Sequence, residues 1–484
     1  MDAAPKHRGS MTAISTLGRR VVAWFQGSAN RRILAAILTV GCFSLVVKIA
    51  ATAKELAVAY QFGTGDAVDA FLIAFLIPTL IINVVAGSLP AAFTPAYIEL
   101  RETHGPSAAR RLSRSVAAGS AALVFVVTII MVALTPFAAG FLEVSFSAEK
   151  LALTRWLFFL LLPVVLLNAL ITTWSAVLNA EERFASVALA PVCVPLLSLA
   201  MVLVAARSLG IYALALGTVS GTAAQCVVLA MALIRQGLPV LPRWDGMTPE
   251  FRRVALQYAP MVAGAALTSS SWAIGQAMAA MLPAGSVASL NYGNKVVGMT
   301  TEIGSMALAT AVLPHFSVMA ARRDWSAIRR TLRVYVRLIV AGSVPATITL
   351  IVLSKVIVRL LFERGAFTEA DTSVVANIQS LYLVQVPFVM VGMLFVRLAS
   401  SLQRNQILLV GAAITLPLNV ALNLVLMRWM GVAGIALSTS LVFLVSCCYL
   451  VMSLRHALRV AERQYPQGSV VDAVSKEGDE QPRG

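Results

Sequence analysis

Three charged residues lie within eight positions of an otherwise apolar stretch near the N-terminus. The segment KIAATAKE contains Lys48, Lys54 and Glu55, and it follows ILAAILTVGCFSLVV and precedes LAVAY. A charge in the middle of a bilayer costs roughly 2.5–3.5 kcal/mol on insertion scales, so such residues usually face a polar interior. On a helix, Ser44, Lys48 and Glu55 share one face at spacings of four and seven, whereas Lys54 points elsewhere.

A second polar set lies in the segment NYGNKVVGMTTE of a later apolar run. Asn291 and Lys295 are four residues apart, Lys295 and Glu302 are seven apart, and Asn294 adjoins the lysine. Lysines that face one wet cavity suit an anion, and lysine binds phosphate as a point charge. The alternative is that these charges snorkel to a membrane boundary or pair with one another.

The second apolar run has its own polar and helix-breaking residues. Asp69 opens the run, where a carboxylate favours capping the N-terminus of that helix. Pro78, Gly87 and Pro90 follow, and they predict a bend in the helix rather than ligand contacts.

The composition is that of a membrane protein. Of 484 residues, 59% are hydrophobic and 12% are charged, against about 25% charged residues in soluble domains. The net charge of +16 falls mostly in loops, which favours orientation in the membrane over nucleic-acid binding, since no nucleic-acid motif accompanies it. The five cysteines and four histidines show no metal spacing, and the spans hold no paired carboxylates. We therefore expect no metal, no resident cofactor and no enzyme chemistry.

About twelve segments are long and apolar enough to span a bilayer. Their approximate cores are 33–60, 69–98, 115–141, 156–178, 186–206, 210–234, 255–281, 286–314, 331–354, 377–400, 407–428 and 431–454. With twelve spans the arginine-rich loops fall on one side, which predicts that both termini are cytoplasmic. We expect residues 1–32 to form a basic N-terminal extension with a short amphipathic helix on the membrane, and residues 459–484 to form a disordered cytoplasmic tail.

An internal repeat divides the spans into two halves. GIYALALGT (Gly210–Thr218) resembles GVAGIALST (Gly431–Thr439), and the second span from Asp69 resembles the eighth from Ser289, in each case at an offset close to 220 residues. Six spans per half give the halves the same orientation, as in parallel-repeat transporters. The prediction is an all-α polytopic protein with two six-helix lobes, residues 33–240 and 241–458, and a cavity between them.

Four stretches resemble a known family of transporters. They are FGTGDAVDAFLIAFLIPTL (Phe62–Leu80), ALATAVLPHFS (Ala307–Ser317), LFERGAFTEADT (Leu361–Thr372) and GVAGIALSTSL (Gly431–Leu441). Together they resemble the MurJ/MviN family, lipid II flippases of the multidrug/oligosaccharidyl-lipid/polysaccharide (MOP) exporter superfamily, over about residues 33–455. By its residues alone, LFERGAFT predicts a polar turn with Gly365 as breaker and Thr368 as helix cap.

The resemblance implies the site residues. It implies two six-helix lobes around a central cationic cavity, in which the family's arginines correspond to Lys48, Lys54 and Lys295 and its second-span aspartate to Asp69. All three arginines are thus lysines here, and the chain is expected to be a shorter, twelve-span member without two further helices. Other charged positions of the family correspond to Ile82, Gly87, Gly298 and Asn294.

The resemblance and the cationic residues together predict a flippase in the bacterial inner membrane. It would move a polyprenyl-pyrophosphate-linked oligosaccharide, either lipid II-like or an exopolysaccharide repeat unit, from the inner to the outer leaflet by alternating access. The membrane potential, about 2.3 kcal/mol per charge per 100 mV, or a coupling ion would assist. The alternatives are an ion-coupled drug exporter of the same superfamily, or a non-transporting scaffold that recruits glycan-assembly enzymes. Membrane lipids are expected partners in each case.

Overall fold

A computed structural model describes residues 29–142, 146–311, 316, 319, 324–402 and 404–464. All regular structure in these ranges is helical. The predicted N-terminal amphipathic helix and nearly all of the predicted tail lie outside the described residues, so both stay predictions.

The described residues form sixteen α-helices. In chain order they are α1 (Ala29–Phe62), α2 (Asp66–Ile81), α3 (Leu89–His104), α4 (Pro106–Leu142), α5 (Ala148–Ala180), α6 (Phe184–Leu189), α7 (Cys193–Leu209), α8 (Tyr212–Arg235), α9 (Pro249–Ala279), α10 (Ser286–Ala311), α11 (Trp325–Val352), α12 (Ser354–Phe362), α13 (Glu369–Leu383), α14 (Val386–Ser401), α15 (Asn405–Met430) and α16 (Val432–Gln464). A π-helix, Ile82–Ala86, follows α2, and a 3₁₀-helix, Ala190–Val192, follows α6.

Nine helical segments within the described residues are long and apolar enough to cross a membrane. They coincide with nine of the about twelve predicted spans, and α1, α9 and α10 coincide in position with predicted spans one, seven and eight. Of these three helices, α1 contains Lys48 and α10 contains Lys295, and such residues lower the apolar character of a helix. The prediction of an all-α polytopic membrane protein is confirmed.

The α-helix of the second span is interrupted where its prolines predict a bend, and the bend itself stays a prediction. Pro78 lies inside α2, and the chain then passes through the π-helix and a turn at Gly87 before α3 begins. Pro90 occupies the first turn of α3. Proline removes a backbone donor and crowds the preceding turn, so the regular α-helix gives way to other helical geometry between the two prolines.

The two repeated segments form the same turn. Gly210 ends α7 with φ 56° and ψ −139°, and Gly431 ends α15 with φ 58° and ψ −136°. Each glycine is followed within two residues by the next helix, α8 or α16. A positive φ is easily adopted by glycine alone, so the repeat detected in the sequence corresponds to a repeated helical hairpin.

The segment after α11 differs in part from the prediction. The predicted spans 331–354 and 377–400 leave a connection between them, and α12 occupies the first part of that connection. Ser354, Val358 and Phe362 recur at spacings of four and are all buried, so this short helix is held by one packed face. The prediction for the remainder is confirmed, because Gly365 has φ 63° and Thr368 caps α13 in a capping box with Asp371.

The chain forms two compact units. Of the described residues, unit one comprises those within 29–57, 85–130 and 160–258, and unit two comprises those within 58–84, 131–159 and 259–464. The described core of unit one is built around Phe93, Tyr97 and Leu229. Unit two has one core around Leu290, Ile378 and Ile435 and another around Phe316, Ile328 and Leu394. The predicted division into lobes at residue 240 stays a prediction.

Candidate functional site

In unit one, Lys48 lines a cavity of about 340 Å³. Ser44, one turn earlier on α1, lines the same cavity, as their spacing of four predicts. Asn179, near the end of α5, supplies a third polar side chain. The other lining residues are apolar: Val40, Val47, Phe184, Val187, Ala188 and Pro191. An ammonium, a hydroxyl and an amide beside apolar walls suit a ligand that is anionic at one end and apolar at the other.

Lys54, the second lysine of KIAATAKE, forms an ion pair with its neighbour Glu55. The Lys54 ammonium lies 2.8 Å from the Glu55 carboxylate, and each side chain is about one quarter exposed. Neither residue lines the cavity that Lys48 and Ser44 share. The structure therefore brings Ser44 and Lys48 together in one pocket and pairs Glu55 with its neighbour Lys54.

The polar residues of α10 lie in unit two. Asn291 donates through Nδ2 to Gln276 Oε1 of α9 at 2.9 Å and to the Val287 carbonyl at 3.0 Å. Asn294 and Lys295 are half-buried, and Glu302, two turns after the lysine, is exposed. The binding roles of these residues stay predictions.

Asp69 is placed otherwise than predicted. It is the fourth residue of α2 and nearly fully buried, and Gly65 occupies the cap position of that helix. Its carboxylate instead accepts the backbone N–H groups of Gly285 and Ala288, each at 2.8 Å. The prediction that Asp69 caps its own helix is therefore wrong. It caps α10, where the first N–H groups lack partners within the helix.

The sequence analysis did not single out three polar residues that contact the predicted site residues or line the cavity with them: Lys150, Asn179 and Gln276. Lys150 lies 3.1 Å from Asp69 Oδ2 and 2.6 Å from Asp66 Oδ1, and its side chain is 8% exposed. Lys150 directly precedes an apolar run, which is also the usual position of a lysine at a membrane boundary. The sequence pattern therefore gave no sign that it is buried.

The fold is similar to those of solved membrane proteins. The structure is similar to one titled "Lipid II flippase MurJ, inward closed conformation", with a TM-score of 0.74 and 20% identity over 87% of each chain. It is also similar to an inward-facing multidrug resistance MATE family transporter, with a TM-score of 0.71 and 13% identity over 88% of this chain and 99% of that one. These likenesses show the fold of the MOP superfamily, and the apolar helical segments among the described residues indicate a multi-pass membrane protein.

The sequence comparisons give the family within this class. The sequence model described as "Lipid II flippase MurJ" matches residues 58–474. The "Probable lipid II flippase MurJ" of Rhizobium meliloti (strain 1021) is 26% identical over 408 residues, which cover 82% of this chain and 76% of that protein. This chain belongs to the MurJ lipid II flippase family, as the resemblance of its motifs predicts. The family match begins after KIAATAKE, so the roles of Lys48 and Lys54 stay predictions.

Proposed function

We propose that this protein flips a lipid-linked anionic saccharide from the inner to the outer leaflet of the bacterial inner membrane. A polyprenyl-pyrophosphate carrier joins the two features that the cavity at Lys48 offers, since it has phosphates beside an apolar chain. Lipid II is the first candidate because of the family, and an exopolysaccharide repeat unit is the second.

The cavity at Lys48 is the observation that carries the proposal. Its volume of about 340 Å³ accommodates a fragment of such a substrate, such as the pyrophosphate and the first part of the lipid, and not a whole glycan. The Lys48 ammonium supplies a positive charge, and Ser44 and Asn179 supply further polar groups. A charge-assisted hydrogen bond contributes about 1.5–3 kcal/mol, so this lysine can select an anion without any covalent step.

The transport cycle then requires no chemistry on the substrate. The headgroup enters from the cytoplasmic side and is released outside by alternating access. An outward-moving anion gains about 2.3 kcal/mol per charge per 100 mV when the cytoplasm is negative. Both termini are cytoplasmic in this proposal, as the basic loops predict.

The test is complementation of cells depleted of their own lipid II flippase. We expect the wild type and Lys48→Arg to rescue growth, because a guanidinium also binds phosphate. Lys48→Ala should lose roughly tenfold or more of the transport, the change that corresponds to about 1.4 kcal/mol. Lys355→Ala, which removes an exposed lysine at the start of α12, is the matched control and should rescue fully.

Two outcomes would change the proposal. Full rescue by Lys48→Ala at wild-type protein levels would show that this lysine does not bind the substrate. Absence of rescue by well-expressed wild type would exclude lipid II under those conditions. A strain that lacks this gene would then be examined for surface polysaccharide. Loss of the polysaccharide would support an exopolysaccharide repeat unit as the substrate, and intact polysaccharide would contradict both candidates.

A further inference from the structure

Lys150 is the centre of an ionic cluster in unit two, in which Lys150 and Asp69 are buried and the Asp66 side chain is 55% exposed. It is the third residue of α5, and its ammonium lies between Asp66 Oδ1 at 2.6 Å and Asp69 Oδ2 at 3.1 Å. The same nitrogen lies 4.4 Å from the centroid of the Phe146 ring. Asp66 and Asp69 are three residues apart and so occupy one face of the first turn of α2. The lysine therefore ties the start of α5 to the start of α2.

The same carboxylate ties α2 to a third helix. Asp69 Oδ2 accepts hydrogen bonds from both Lys150 Nζ and the Gly285 N–H, while Oδ1 accepts from the Ala288 N–H. Three of the four polar contacts that hold this cluster together therefore involve Asp69, a residue that is 1% exposed. A buried carboxylate needs a partner of opposite charge, since burial of an unpaired charge is strongly unfavourable. Lys150 supplies that charge.

The helix that Asp69 caps is the one that carries the predicted polar residues of unit two. Lys295 lies nine residues after Ser286, the first residue of α10, which is a distance of roughly 14 Å along a helix. A helix transmits a displacement of its first turn along its length, and functional side chains must be held to within about 0.5 Å. The position of Lys295 therefore depends on how the start of α10 is fixed.

We propose that Lys150 is a positioning residue for transport, which keeps the Asp69 carboxylate in place as the cap of α10 and so fixes the polar face of that helix. Lys150 itself contacts no substrate. This inference rests on the proposed function for its transport readout, whereas its structural readout is independent of the substrate.

The experiment measures two properties of the same variants: the accessibility of a thiol at the start of α10, and transport by complementation. The five native cysteines are replaced by serine, and Ala284→Cys places a thiol on the exposed residue that precedes Gly285. The reaction rate of this thiol with a maleimide is measured on purified protein. We expect Lys150→Met to raise the rate several-fold, Lys150→Arg to keep it close to the parent, and the exposed control Lys355→Met to leave it unchanged.

Complementation should separate the variants in the same way as the thiol reaction rate. Lys150→Met loses rescue, whereas Lys150→Arg retains most of it. Because Lys150 acts through Asp69, the double variant Lys150→Met/Asp69→Asn should rescue growth as well as Asp69→Asn alone. If the Lys150→Met single variant does not accumulate in the membrane, the double variant is measured in its place. Losses that add in the double variant would overturn the proposal, as would lost rescue with unchanged thiol reactivity. A parent that fails to rescue contradicts the proposed function alone, since the thiol still tests the positioning.

Discussion

At the scale of single residues, Gly285 shows how tightly the start of α10 is packed. Its φ is +83°, and a Cβ added there would lie 2.3 Å from the Thr64 carbonyl oxygen. Its N–H is also one of the two backbone donors to Asp69. The residue therefore has both an unusual backbone conformation and no room for a side chain.

We expect Gly285→Ala to destabilise the protein. Holding an alanine at this φ costs about 1–2 kcal/mol, and the overlap with Thr64 adds to that cost because the contact is with backbone. The measurement is the thermal unfolding midpoint in detergent. Gly342→Ala is the control, since a Cβ on that α11 residue meets nothing within 4 Å. Equal midpoints for the two variants would contradict the packing described at Gly285.

The two lysines of KIAATAKE illustrate why residue type alone does not define a site. Lys48 lines a cavity with Ser44, whereas Lys54 pairs with Glu55 at 2.8 Å. Of the two first-span lysines, Lys48 is the one to which the proposed function assigns the anion, because it lines the cavity with Ser44.

At the scale of elements, the LFERGAFT segment fixes the turn between α1 and α2. The Ala366 N–H donates to the Tyr60 carbonyl at 2.8 Å, and the Thr64 hydroxyl donates to Asp371 Oδ1. Phe362 and Phe367 both pack on Tyr292 of α10, with ring centroids 5.1 Å and 5.7 Å away. The motif thus has the structural role that its turn chemistry predicts, and it also connects parts of unit two that are distant in sequence.

The capping box at the start of α13 gives a graded prediction. Thr368→Ala removes one side of the box and should cost about 1 kcal/mol. Asp371→Ala should cost more, by about 0.5–1.5 kcal/mol for each hydrogen bond lost, because Asp371 accepts from both the Thr368 N–H and the Thr64 hydroxyl.

Thermal unfolding midpoints of the two variants in detergent test this order. Thr64→Val removes only the link to the α1–α2 turn and serves as the control for that part of the loss. If Thr368→Ala proved as damaging as Asp371→Ala, the link between α13 and the turn would contribute nothing to stability.

At the scale of the whole molecule, the charged loops predict the topology. Arginines concentrate in the loop at residues 236–248 and in the other loops on the same side of the twelve spans. This side is therefore expected to be cytoplasmic, and the loop before α10 is expected to lie outside. Alkaline phosphatase fused after residue 284 should therefore be active, and the same enzyme fused after residue 248 should be inactive. A fluorescent protein fused after residue 484 should fluoresce. The reverse pattern of phosphatase activity would overturn the predicted orientation.

Much of the architecture follows from the sequence because it depends on local interactions. Apolar length defines most of the spans, Pro78 and Pro90 predict the break in the second span, and Gly210 and Gly431 mark equivalent turns. The Thr368 cap is also local, since its partner Asp371 is three residues away. Each of these features involves hydrogen bonds or sterics within a few residues.

Only the tertiary structure decided which distant groups meet. Asp69 finds Lys150 at 81 residues and the N–H groups of Gly285 and Ala288 at 216 and 219 residues. No local pattern distinguishes a carboxylate that caps its own helix from one that caps another, because both stand in the first turn of an apolar span. Likewise, the spacing of Ser44 and Lys48 defines a face of α1, but Asn179 joins that face only through packing of α5. The sequence by itself determined the helices and their polar faces, and the packing of those helices determined the partners, because burial brings together groups that are remote along the chain.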